Sequence, residues 1–293
     1  MVRVACVILT YNRLPLLQRC IESVRNQSYK NFDIWVVDNA SSDGTFAWLS
    51  QQNDLFTLSI ALNEGAANGF NIGLKSAYDK GYDWIWILDD DGVADREQLG
   101  KLLNGTLKYG FLFTNALVCD INDPYLLAFG LAGHHKVREA QQEEYIMNAI
   151  NPFNGTFIHR SVIDKIGYIE KSMYLYGCEV EYQYRAIKRQ IHVATITSAV
   201  HYHHRTVGEF KNIIPFYSRF RIVLLSSDKA PYYYRNMGYI HREYRDIISW
   251  REKMLPWAIC FYFLRVFNLK ELKIFVKRYI MGVSRGLDNN FRF

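Results

Sequence analysis

The chain has 293 residues, enough for one large domain or a domain with an appendage. Apolar residues make up 49% and charged residues 22%, which is ordinary for a globular protein and argues against a disordered chain. The net charge of +6 is unevenly placed: residues 205–293 carry 17 Lys and Arg against 7 Asp and Glu, and residues 1–204 carry 18 against 22. An acidic part and a basic part with different jobs are expected.

The five cysteines, Cys6, Cys20, Cys119, Cys178 and Cys260, show neither metal-ligand spacing nor a disulfide framework, which points to a reducing compartment. The N-terminal "MVRVACVILTYNR" lacks the pattern of a signal peptide, and no run of about 18 apolar residues is present to span a bilayer. The 21 Tyr, 18 Phe and 6 Trp suit a protein that handles sugars or sits at an interface, and equally a Tyr-rich core.

In chain order, "VRVACVIL" reads as a buried strand and "LPLLQRCIESVRNQ" as a helix with Pro15 at its start. "FDIWVVD" is a second strand, "NASSDGT" a turn and cap cluster, and "LFTLSIAL" a third strand. "NEGAANGFNIGLKSAYDKG" begins Gly-rich and becomes a helix, and "YDWIWIL" is a fourth strand that runs into Asp89, Asp90 and Asp91. Trp84 and Trp86 read as core. Strand and helix in alternation predict a mostly parallel sheet with crossover helices. Ligands of such sheets sit at the carboxyl ends of the strands, where "TYN", "DNASSD" and "DDDG" would share one rim. Farther on, "GFLFTNALVC" reads as a strand, "NPFNGTFIHRSVIDKIG" as strand, turn and short helix, "CEVEYQYRAIKRQ" as a helix and "IHVATITSAVHYHH" as a strand. From about residue 208 the chain becomes basic, aromatic and largely helical. The expected organisation is a catalytic domain over 1–207 and a helical region over 208–293.

The ordered motifs "VILTYNR", "WVVDNASSDGT", "NEGAANGFNIGL", "WILDDDG", "NGTFIHRSVIDKIG" and "CEVEYQYRAIKRQIHVATITSAVHYHH" cover most of residues 2–205. Together the chain resembles an inverting glycosyltransferase of family 2 with the Rossmann-like GT-A fold, and is most similar to bacterial galactofuranosyl- and rhamnosyltransferases. The three-aspartate form leans toward the galactofuranosyl branch. Many rhamnosyl relatives carry a Gln there, and dTDP-rhamnose remains the alternative donor to UDP-galactofuranose.

The resemblance implies roles for named residues. Asp38 would hydrogen-bond the nucleotide base, and Thr10, Tyr11 and Asn12 would line the same pocket. Asn63, Gly65 and Asn68 of "NEGAANG" would let backbone approach the sugar nucleotide, which Asp89 and Asp90 would also contact. Two carboxylates one residue apart on a strand point the same way, so Asp89 and Asp91 would hold one hard cation. His201 would complete its shell, with His203 the second choice, and mixed oxygen and nitrogen ligands favour Mn2+ over Mg2+. Glu179 falls at the family's general-base position, with Glu181 its rival; the family's usual Asp is replaced by Glu, and Cys178 precedes it as a packed thiol. Asn154 and Gly155 would border the acceptor.

The acceptor implied is a lipid-linked or oligosaccharide chain of a cell-surface polysaccharide, such as an O-antigen or capsule. The expected location is cytoplasmic, on the inner face of the cell membrane. The basic aromatic tail would lie on an anionic membrane surface or form a homo-oligomer contact. Nothing reads as a nucleic-acid binder. Readings from other classes are a nucleotidyltransferase, which would want a Gly- and Lys-rich phosphate loop after the first strand, and a noncatalytic assembly partner, which would tolerate loss of acids that are all present here.

Overall fold

The computed structural model describes residues 2–205, 209–214 and 217–287. The chain divides into two compact units, Met1–Lys171 with Arg185–Thr206, and Ser172–Tyr184 with Val207–Phe293. The boundary expected at 207/208 lies outside the described residues.

The first unit holds strands β1 (Val4–Thr10), β2 (Phe32–Asp38), β3 (Leu55–Ser59), β4 (Trp84–Asp89), β5 (Val93–Ala94), β6 (Phe113–Asp120), β7 (Leu126–Leu131), β8 (His134–Lys136), β9 (Tyr145–Met147), β10 (Asn154–His159) and β11 (Val193–His203). Its helices are α1 (Leu14–Arg25), α2 (Thr45–Leu49), α3 (Ala66–Asp79), α4 (Gln98–Tyr109), α5 (Val137–Ala140) and α6 (Arg160–Ile166). Helix α7 (Cys178–Lys188) runs from the second unit into the first. The second unit adds strands β12 (Glu209–Ile214) and β13 (Tyr217–Leu224) and helices α8 (Ala230–Glu243), α9 (Trp250–Arg265) and α10 (Leu269–Arg285).

The main sheet runs β3-β2-β1-β4-β10-β6-β11-β5. Strands β3, β2, β1 and β4 are mutually parallel, β10 is antiparallel to β4 and β6, and β11 returns parallel to β6. The α/β sheet expected from the strand and helix alternation is present.

Both faces of the parallel half are covered, which is why its strands read as continuous apolar runs. Alternation along β1 sends Cys6 and Ile8 into the cluster with Leu17, Cys20, Ile21 and Val24 of α1. It sends Val7 and Leu9 under α3, where Gly69 and Gly73 admit their methyl groups: a Cβ at Gly73 would lie 2.5 Å from Val7 Cγ1. Trp84 stacks on Phe157 with ring centroids 4.6 Å apart, and Trp86 is fully buried, as the sequence pattern predicts. Burying each such large side chain contributes roughly 1.5–3 kcal/mol.

The second unit has its own core, in which Ile213 and Ile222 of the hairpin meet Tyr234, Met237, Ile259, Phe263 and Phe275. The β12–β13 hairpin interrupts a region read from sequence as largely helical, because its aromatic and basic residues mask the two-residue alternation. Helices α8 and α10 cross at two glycines: a Cβ at Gly238 would stand 2.1 Å from the carbonyl oxygen of Tyr279, and one at Gly282 2.0 Å from that of Arg235. Among the described residues no helix is long and apolar enough to cross a membrane.

Backbone cannot yield as a flexible side chain can. Gly282→Ala is therefore expected to cost about 1–3 kcal/mol, read as a lower urea midpoint. Gly100→Ala, in helix α4 with its nearest neighbour at an ordinary 3.9 Å, should leave the midpoint unchanged or raise it.

Candidate active site

Three adjacent parallel strands end at one rim. Thr10 is the register partner of Asp38, and Leu9 is that of Asp89. Asp38 is buried and its Oδ1 accepts a hydrogen bond from the Ser41 N–H at 3.0 Å. Asn12 takes a left-handed conformation (φ 52°), which an Asn tolerates. It joins the loops after β1 and β2: its N–H donates to Ser41 Oγ at 2.9 Å, and its Oδ1 accepts from the Ser42 N–H at 2.6 Å. Tyr11 is exposed beside them. Asn63 Oδ1 accepts from Asn39 Nδ2 at 3.0 Å and from the Gly65 N–H at 2.9 Å. Gly65 has φ 89°, a conformation open to glycine. Asn68 is buried and donates to Glu64. Thr10, Asn12, Asp38, Asn63 and Gly65 thus belong to one bonded rim, with Asn39, not singled out from sequence, as the link.

Strand β4 stops at Asp89, so Asp90, Asp91 and Gly92 form a turn, and the two-residue alternation that would align Asp89 with Asp91 ends before Asp91. Burial, reinforced by Asp91 and Asp90, pushes the Asp89 carboxyl well above the usual range. Asp90 is also buried and pushed up to about 6, mainly by burial, although Arg13 and Thr10 oppose the shift. Its Oδ2 accepts from Thr10 Oγ1 at 2.7 Å and its Oδ1 from Arg13 Nη1 at 3.1 Å. Burial opposes the charge of Asp91 as well, but the bond to His203 and the charges of His203 and Arg13 outweigh it and hold the group at about 2. Arg13 Nη1 lies 2.9 Å from Asp91 Oδ2, and His203 Nε2 lies 2.9 Å from Asp91 Oδ1. Arg13 is thus the counter-charge of the cluster. Its place in "TYNR" gives no sign of this, because its partners lie 77 and 78 residues away.

His203 Nδ1 is 2.6 Å from the His204 carbonyl oxygen, to which it can only donate. Nε2, facing a carboxylate oxygen, then carries a second proton, and the pair is imidazolium and carboxylate; despite burial, the bond to Asp91 raises His203 above its ordinary value. Without that proton, the same tautomer presents an Nε2 lone pair toward Asp91, as a histidine ligand requires. The pair therefore fits a divalent cation, with Asp91 and His203 as the ligands already facing each other. Among the described residues, no group of three His, Cys, Asp or Glu side chains is assembled as a metal shell. Asp89 is not assembled with this pair.

His201, expected to complete the metal shell, packs instead against Gly92, next to Asp91. It is fully buried, its Nδ1 is 3.2 Å from Gln98 Oε1, and among the described residues its Nε2 has no partner. Burial lowers its pKa to about 3, so the ring is neutral. Gly92 is shaped by this ring: a Cβ there would stand 2.0 Å from His201 Nε2. Gln98, also buried, fits against Gly155 in the same way, at 2.1 Å. Gly155 has φ 81° and sits in the bulge between Asn154 and Thr156 of β10; Asn154 is buried, its carbonyl accepting from Asn115 Nδ2. Gly155 is thus packed on Gln98, a residue that no sequence signal marks, while Asn154 is tied to Asn115.

Glu179 and Glu181 stand in the first turn of α7, in the second unit. Glu181 is 1% exposed and accepts a hydrogen bond from the Tyr244 hydroxyl at 2.5 Å. Glu179 is partly exposed; its Oε1 accepts from the Gly177 N–H at 3.1 Å and its Oε2 from Cys178 Sγ at 3.4 Å. The loop before it is strained at Tyr174 and Tyr176, with φ 63° and 60°, while Gly177 takes φ 89° freely. Two buried residues of α8 hold it. Asn236 Nδ2 lies within 3.0 Å of the carbonyl oxygens of Met173, Leu175 and Tyr176, and Arg235 Nη2 donates to those of Ser172 and Met173. The stretch "PYYYRN", which suggests only packing from sequence, thus fixes the entry to the helix that carries Glu179.

Gly92→Ala should cost about 1–3 kcal/mol by crowding His201. In the Gly92→Ala/His201→Ala double variant part of that loss should return, a coupling read from the four midpoints of a double-mutant cycle.

The family model for "Glycosyl transferase family 2" matches residues 5–167. Galactofuranosyltransferase GlfT1 of Mycobacterium tuberculosis is 30% identical over 250 residues, 81% of each chain. The Mycolicibacterium smegmatis protein of the same name is 28% identical over 81% of this chain and 82% of its own. Among solved structures, S. aureus TarS 1–349 superposes with a TM-score of 0.60 at 13% identity, covering 97% of this chain and 82% of that one. GalNAc-T7 with UDP, GalNAc and Mn2+ superposes with a TM-score of 0.59 at 16% identity, covering 84% and 49%. With the matched model spanning more than half its length, and a relative 30% identical along most of both chains, this chain belongs to glycosyl transferase family 2.

Proposed function

We propose that this glycosyltransferase is a metal-dependent, inverting galactofuranosyltransferase that takes its sugar from UDP-galactofuranose and adds it to a lipid-linked glycan of a cell-surface polysaccharide. The observation that carries the metal-dependent part is the Asp91–His203 pair, whose Nδ1 bond to a carbonyl leaves Nε2 free to become a ligand once it is deprotonated. The donor reading rests on the relatives named galactofuranosyltransferase and on the fold neighbours described with UDP.

In this reading Asp38 accepts the N–H of uracil, and the exposed ring of Tyr11 lies along the base. Asp91 and His203 would hold Mn2+, which would supply positive charge to stabilise the departing diphosphate. Arg13, the counter-charge of Asp90 and Asp91, would add positive charge for the phosphates at the same rim. Glu179 takes the proton of the acceptor hydroxyl as that oxygen bonds the anomeric carbon and the bond to UDP breaks, with inversion. Glu181, buried against Tyr244, serves the helix instead. The rhamnosyl alternative differs in the donor alone and would prefer dTDP.

Calorimetry with UDP and dTDP, each with and without Mn2+, tests the donor and the ion together. Tight binding is expected for UDP with Mn2+, and loss of the Mn2+ dependence in Asp91→Asn. A preference for dTDP would move the assignment to rhamnosyl transfer, and metal-independent binding would remove the ion. Glu179→Gln should lower turnover by about 10² or more with little change in UDP affinity; a loss below tenfold would leave the base unassigned.

A further inference from the structure

Helix α9 is apolar on two opposite faces, and its own unit covers only one of them. Pro256, Ile259, Tyr262 and Phe263 are buried. Trp250, Met254, Trp257, Phe261 and Leu264, spaced four and three residues apart, share one stripe along the other side, and all are exposed. Trp257 is 71% exposed. The stripe continues into the turn before α10, where Phe267 is 87% exposed. A row of this size is not scattered surface apolarity, and it needs a partner.

The charge on the same two helices narrows the choice. Residues 250–285 hold eight Lys and Arg against two Glu. Lys253 flanks the α9 stripe, and Lys270, Lys273 and Lys277 are exposed along α10 among Leu269, Val276 and Ile280. A second copy seated on this face by a two-fold axis would set these lysines against one another. A surface of anionic lipid headgroups pairs with them, while Trp and Phe enter the boundary between headgroup and acyl chain, where such rings are favoured. Neither helix is long and apolar enough to cross the bilayer, so the contact is a lateral one.

We propose that the exposed faces of α9 and α10 form a docking surface for an anionic bilayer, with Trp257, Phe261 and Phe267 inserted at the interface and Lys253, Lys270, Lys273 and Lys277 on the headgroups. This surface is independent of the donor and acceptor assigned above.

Co-sedimentation of the full chain with vesicles tests it, using phosphatidylcholine alone and phosphatidylcholine with about one third phosphatidylglycerol. Binding is expected to the anionic vesicles, with little to the neutral ones, and to weaken steeply with salt. Tryptophan fluorescence of the unmodified chain should be quenched by brominated acyl chains, a readout that needs no variant. Trp257→Glu/Phe261→Glu and, separately, Lys270→Glu/Lys273→Glu/Lys277→Glu should each weaken binding by more than about tenfold, with circular dichroism unchanged. Equal binding to both vesicle types, absence of quenching, or a lipid-free dimer that Trp257→Glu dissociates would each overturn the proposal, the last in favour of a second copy.

Discussion

The site is organised by a problem of charge. Three carboxylates in sequence follow a buried strand, and each makes ionisation of the next more costly. The fold answers with two cations drawn from opposite ends of the first unit: Arg13, from the loop after β1, and the imidazolium of His203, at the end of β11. Thr10 takes one oxygen of Asp90, and Arg19 reaches the backbone carbonyl of Asp91. Both cations touch the one carboxylate that remains strongly acidic, Asp91. A divalent ion entering here would replace positive charge already in place instead of adding to an empty space, and the rim can hold its shape before any ligand arrives.

Much of this could be read from the residues in order. Runs such as "VACVILT" and "WIWIL" must lie in a sheet covered on both faces, and the polar clusters after them must then share a rim; Thr10, Asp38 and Asp89 do. What the order of residues hides is which side chain meets which. His201 and His203 differ by two positions on one strand, so alternation places both on one face. Their register with β6 is unbroken, and what separates them is depth: His201 is fully buried and sealed against Gly92, while His203, nearer the strand end, reaches Asp91. Gln98 and Arg13 are common residue types in unremarkable contexts, and their roles arise from partners 57 to 103 positions away.

The hairpin of β12 and β13 was obscured for another reason. Sequence periodicity reports burial, and the Arg, Tyr and Phe residues of this stretch blur the two-residue alternation in the sequence. Its place in the second core, through Ile213 and Ile222, depends on helices that come later in the chain.

The hold of Arg235 and Asn236 on the loop before Glu179 has a consequence for the order in which the protein matures. The carbonyls they bind lie 60 to 63 residues earlier in the chain. While the chain is being made, strands β1, β2 and β4 can pair, and Asp38 and Asp91 can take their places, well before α8 has left the ribosome. During that interval the carbonyl oxygens of Ser172, Met173, Leu175 and Tyr176 lack the side-chain donors of Arg235 and Asn236. On the roles proposed above, the rim for the nucleotide would be built early and the carboxylate that would accept a proton would be set late, so a nascent chain would pass through a stage equipped to bind before it is equipped to react.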